Sequence, residues 1–290
     1  MLAIFAVITV VIASGCTGIP TAVSGGGVSI EAFEPDFPQI YTDESVQFRI
    51  KIRNTGTTDA TDVKLQIFGA DWETPGGTCK QEAQRKLLAA NPQKGIEGET
   101  FNCYWSLKPK GDSIPEGMVM TYYPTARVTY KYSTTTIKSV TIGNVDELRA
   151  VQDRGGTLPA ETMSTTTGPV SIVINVKGPI KVSTSNQVTF PIEITFTNSG
   201  GGIVAKSEAD AKNYNYIKYD IKLDGLESAD CKLSDELYLF RGQTNTVTCK
   251  LKSGSAPSIG TVQRLIKVTA GYAYILDKSS SFTAIGAAKS

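Results

Sequence analysis

Five cysteines are the residues of this chain best suited to covalent chemistry, and their spacing sorts them into one plus two pairs. Cys16 follows Ala13-Ser14-Gly15 at the end of an uncharged, apolar segment. Small side chains before a Cys fit a signal-peptidase pocket, and a thiol is the nucleophile suited to forming a thioether with a lipid. Cys16 is therefore a candidate lipidation site. The competing reading is ordinary signal cleavage near Ala13 or Ala22, with Cys16 incidental. Without Cys16, two cysteines fall at matching places in each half of the chain. That arrangement predicts one disulfide per half, Cys79 with Cys103 and Cys231 with Cys249. The loops closed are about 24 and 18 residues, for which chain entropy gives ~3 kcal/mol each. Spacing alone leaves pairing between the halves open.

Other chemistry is thinly supplied. Histidine is absent, which removes Ser-His-Asp and Cys-His catalysis and every imidazole metal site. No C-x-x-C occurs either, so no catalytic residue, cofactor site or metal site is assigned. Acidic loop residues Asp59, Asp62, Asp71, Glu73, Asp224, Glu227 and Asp230 have the hard oxygens that Ca²⁺ prefers. They lack the spacing of a known Ca²⁺ loop and read as solvated charge. Tyr122-Tyr123-Pro124 with Trp72 and Trp105 could line a sugar-binding face. Trp105, two positions after Cys103 on the same strand face, reads as core. With 29 basic against 28 acidic side chains, the chain has no dense cationic footprint, which excludes nucleic-acid binding.

The elements that position these residues are strands, and they come twice. Val28-Ser29-Ile30 returns as Val170-Ser171-Ile172, an offset of about 142 positions. Val46–Ile52 returns as Val188–Ile194, Asn54-Thr55-Gly56 as Asn198-Ser199-Gly200, and Ile142-Gly143 as Ile285-Gly286. Apolar residues alternate with polar ones in Val46–Ile52, Val63–Ile67, Val128–Tyr132 and Val140–Ile142, so each strand has one buried face. Short alternating strands separated by Gly, Pro and Asn turns predict an all-β chain of two tandem β-sandwiches, residues 28–143 and 169–290. Residues 1–15 are the signal segment and 16–27 a Gly/Ser/Thr-rich tether. Residues 144–168 are expected to be a linker with a short helix over Asp146–Asp153.

The halves differ after the Asn-Gly turn. About a dozen extra residues, around 201–215, end in Asn213-Tyr214-Asn215-Tyr216. Tyr214 and Tyr216 are the candidate contact loop; the alternative is an inert hairpin loop.

Small residues before Cys16 resemble the lipobox of secreted lipoproteins. Phe48–Gly56, Val63–Gly69, Gly98–Tyr104 and Ala126–Tyr132, with their second-half counterparts, resemble the immunoglobulin-like domains of the CARDB and S-layer-associated type in archaeal surface proteins. That resemblance implies immunoglobulin-like sandwiches and a surface, scaffold or adhesive role; fold likeness alone is a weak warrant for function. The expectation is a non-enzymatic protein at the cell surface, anchored by its N-terminal lipid to the outer face of the cytoplasmic membrane. Its partners would be envelope proteins or surface glycans. The alternative is a ligand-capturing lipoprotein, for example carbohydrate-binding, working beside a transporter.

Overall fold

Alternation of apolar and polar side chains sets nearly every element of the computed structural model, which describes residues 26–69, 72–79, 85–110, 114–183, 187–206, 211–254 and 260–288. The signal segment, Cys16, most of the tether and Asp71 lie outside these residues. The first half forms β1 (Val28–Pro35), β2 (Gln39–Tyr41), β3 (Val46–Asn54), β4 (Ala60–Phe68), β5 (Gly76–Gly77), β6 (Arg85–Leu87), β7 (Thr100–Leu107), β8 (Val119–Tyr122) and β9 (Thr125–Asn144). Helix α1 (Val145–Asp153) and β10 (Met163–Thr165) follow. The second half forms β11 (Val170–Asn175), β12 (Ile180–Val182), β13 (Thr189–Asn198), β14 (Ile203–Ala205), β15 (Tyr216–Asp224) and β16 (Glu227–Ser228). It closes with β17 (Ser234–Tyr238), β18 (Thr244–Lys252), β19 (Thr261–Ser279) and β20 (Phe282–Ile285). The protein is all-β and sandwich-like.

Each half contributes a four-stranded sheet of the same design, β1-β3-β7-β5 and β11-β13-β18-β16. The registers repeat as well: Val28 faces Asn54 as Val170 faces Asn198, and Ile50 faces Cys103 as Ile192 faces Cys249. Val46, Phe48, Ile50 and Ile52 point into the core while Gln47, Arg49, Lys51 and Arg53 point away. The Asn of each Asn-x-Gly turn is a hub. Asn54 donates to the carbonyls of Thr58 and Leu87 and accepts from Gly56 N–H; Asn198 does the same with Gly202, Gly242 and Gly200.

Both four-stranded sheets pack on one large sheet with the order β17-β15-β19-β9-β4-β6. At its centre β9 and β19 pair antiparallel from Thr125↔Ser279 to Gly143↔Thr261. Two short strands were expected at Val128–Tyr132 and Val140–Ile142; a single 20-residue strand runs through both. The reason is local: Ser133-Thr134-Thr135-Thr136-Ile137 contains no Gly, Pro, Asn or Asp to make a hairpin, and its Thr and Ile favour extension. Tyr130, Tyr132, Tyr272 and Tyr274 meet at the middle of the ladder, all buried. Tyr130 opposes Tyr274 and Tyr132 opposes Tyr272, so the ladder has a pseudo-two-fold axis between Lys131 and Ala273.

Consequently the halves trade strand ends. The first part of β9 pairs with β4, but its last residues, Ile142 to Asn144, pair in parallel with β12 of the second half. Reciprocally, β20 lies between β2 and β8 of the first half, parallel to β2. Phe282 stacks on Tyr122 at 5.3 Å and meets Phe48 edge-on at 5.5 Å.

Residues 144–168 carry more structure than a spacer. Asn144 caps α1 by accepting from Asp146 N–H, and Leu148 is buried against Gly143, where a Cβ would stand 2.9 Å from its methyl carbon. β10 pairs with β9 at Thr136–Lys138. Among the described residues no helix is long and apolar enough to cross a membrane.

Candidate functional site

The second half carries an aromatic surface built on β15 and β17. In β15, Ile217, Tyr219 and Ile221 turn inward, so Tyr216, Lys218, Asp220 and Lys222 take the open face. Register places Tyr216 opposite Tyr238, with ring centroids 5.1 Å apart and planes at 58°. Lys206 Nζ lies 5.6 Å from the Tyr216 ring and 2.8 Å from Glu236 Oε2, while Lys218 reaches the other Glu236 oxygen at 3.9 Å. The chain then turns tightly through Arg241 (φ 52°) and Gly242 (φ 72°), with Gln243 N–H donating to Phe240 O. This turn holds Phe240 out at 62% exposure, with the Arg241 guanidinium 5.3 Å from its ring. Asn245 steadies the base by donating to Tyr238 O, and Asn215, itself left-handed at φ 66°, accepts from Leu239 N–H.

Rigid aromatic rings flanked by cations and amides can stack on an apolar or sugar face and hydrogen-bond its rim.

The expected contact residues divide between two places. Tyr216 is a strand residue of this surface, not a loop residue. Tyr214 bridges to Ala205 at the end of β14. Within the insertion, β14 pairs with β19 at Ala273–Ile275; residues 207–210 lie outside the described residues. Tyr238, Phe240, Arg241 and Lys206 were not anticipated. Nothing in the sequence said that β17 would lie beside β15.

The remaining candidates are scattered. Cys79 is bonded to Cys103 and Cys231 to Cys249, with S–S distances of 2.01 and 2.02 Å. Asp230 lies beside the second bridge and accepts from Lys250 N–H. Asp59 pairs with Lys86, which with the Ala89 N–H holds its carboxyl below the ordinary range; Asp62 pairs with Lys131 and Glu73 with Lys108. Trp105 is buried edge-on to Phe33, Tyr122 is buried under Phe282, and Tyr123 is exposed, so these aromatics share no face.

A groove of about 460 Å³ opens where the halves meet, lined by Tyr130, Tyr274, Gly200, Gly201, Asp277 and Lys278. Its tyrosine hydroxyls are already engaged: Tyr130 accepts from Val28 N–H, and Tyr274 accepts from Gly202 N–H and donates to Asn198. No family model matches the chain, and no curated protein matches it.

Proposed function

We propose that this is a non-enzymatic cell-envelope protein, carried on the outer face of the cytoplasmic membrane by a lipid on Cys16, with a role in adhesion or envelope assembly. The observation that carries the reading is the Tyr216–Tyr238–Phe240 surface with its Lys206 and Arg241 cations. Exposed aromatics rimmed by polar groups mark interaction sites on soluble domains. The lack of histidine and the small residues before Cys16 support the same assignment. The partners that fit are other envelope proteins or surface glycans.

Replacing Tyr238 and Phe240 together by Ser tests it. Cell attachment or envelope co-purification should fall by about tenfold or more, while the melting temperature stays within a few degrees. Unchanged attachment would show that this surface is not the adhesive site. Intact mass of membrane-purified protein should separately show Cys16 as a lipid-modified N-terminus.

A second reading is capture of a small ligand, such as a sugar, in the groove, where Asp277 and Lys278 supply polar lining. Ligand-induced quenching of tyrosine fluorescence by a panel of oligosaccharides would favour it over the first.

A further inference from the structure

Strand exchange within one chain fixes which contacts form but not which copy supplies them. β20 is the middle strand of a three-stranded sheet whose edges, β2 and β8, belong to the first half. Its hold is extensive. Phe282 and Ala284 are buried, Thr42 N–H donates to Ile285 O at 2.9 Å, and Gly117 N–H donates to Gly286 O at 3.0 Å. Without β20, the floor around Phe48, Tyr122 and Ile40 would be open. The second half depends equally on Ile142 of β9, which is fully buried beside β12. Because β9 runs straight through its middle, the first half does not take back its own strand end, and the place must be filled by a second-half strand.

The covalent link between the halves is thin. After α1, residues 154–162 hold no helix or strand, but Glu161 and Thr162 are hydrogen-bonded to β9 at Thr141 and Ser139, which leaves 154–160 as the link. Seven extended residues reach about 24 Å, enough to leave one module and enter a neighbour.

We propose that the exchange also runs between chains: the first half of one copy closes on the second half of another, giving dimers or head-to-tail oligomers. Every ladder bond and core contact is then reproduced. The exchanged form differs from the single chain only in the path of the 154–160 link and in translational entropy, so concentration sets the balance. The partner in the assembly role is thus a second copy of this chain. The inference rests on that role for its setting, but its chemistry is independent of membrane attachment.

The test uses two soluble chains, both Cys16→Ser, one with Arg127→Cys and the other with Asp277→Cys. These positions face each other across the ladder, where opposed Cβ atoms stand about 5 Å apart, so a 127–277 disulfide forms only where β9 of one copy meets β19 of the other. Chains refolded together should give this cross-linked dimer, its yield rising about tenfold per tenfold increase in concentration at low conversion. A chain carrying both substitutions should close internally when dilute and form cross-linked oligomers when concentrated. Monomers alone up to ~1 mM, with the doubly substituted chain closing internally, would overturn the proposal. Should either variant misfold, native mass spectrometry of isotope-labelled and unlabelled Cys16→Ser chains refolded together must show mixed-mass dimers; their absence overturns it as well. The mass at Cys16 is measured separately, so a negative result here leaves the membrane-anchored reading standing.

Discussion

Arg127 and Asp277, 150 residues apart in sequence, face each other across the β9–β19 ladder in a two-pronged ion pair, with Nε–Oδ1 at 2.8 Å and Nη2–Oδ2 at 2.7 Å. The pseudo-two-fold axis places Thr135 and Thr269 at the equivalent position, hydroxyl to hydroxyl at 3.0 Å. The ladder is thus held by charge near its Thr125 end and by neutral hydrogen bonding at its middle. Both members of the ion pair are about a third exposed, so solvent weakens it. A double-mutant cycle with Arg127→Ala and Asp277→Ala in urea should give a coupling of about 0.5–1 kcal/mol that declines with added salt. Zero coupling at low salt would show the pair to be incidental.

Phe282 belongs to the second half by sequence and to the core of the first by packing. Phe282→Ala should therefore cost about 3–5 kcal/mol. Hydrogen exchange should quicken first at β2 and β8, not at β15 or β17. Loss of protection confined to the second half would contradict the exchanged packing.

Removing either disulfide as a double Ser variant should cost about 2–4 kcal/mol. Because one ladder joins the halves, unfolding should remain a single transition in each variant, with circular dichroism and tyrosine fluorescence midpoints coinciding. Two separated transitions would mean that the halves unfold independently.

Burial raises the phenols of Tyr130 and Tyr272 well above the ordinary value and carries Tyr274 to about 12. The fold thereby favours neutral tyrosine. That contribution is complete below pH ~10, where unfolded tyrosines are also neutral, and is lost as pH rises towards 12. Stability should hold up to about pH 9.5 and then fall by up to ~1.4 kcal/mol per pH unit for each such tyrosine. Tyrosinate absorbance from the buried set should appear together with unfolding. Titration of the buried set itself near pH 10 with the fold intact would refute the buried cluster.

Much of the local structure was legible in the sequence. Val46–Ile52 alternates with the strand period, and the structure buries the residues that the alternation selected. Asn54 and Asn198 before Gly marked turns, although their side-chain hydrogen bonds show that they also tie separate segments together. Cys79, Cys103, Cys231 and Cys249 lie at matched positions, and the structure bonds them within each half. For α1 the sequence suggested a helix of marginal stability; burial of Leu148 supplies the packing that so short a helix needs.

What the sequence determined by itself was the all-β class and the face each side chain would bury, because both follow from a period of two along one strand. Only the tertiary structure decided which strands became neighbours. Alternation is identical whether β20 pairs with its own half or with the other, and whether Tyr216 meets Tyr238 or solvent. Those choices depend on contacts between residues far apart in the chain. Val140–Ile142 could be read as a strand, but its place beside β12 of the other half was set by the straight course of β9 and by the core that Ile142 helps to fill.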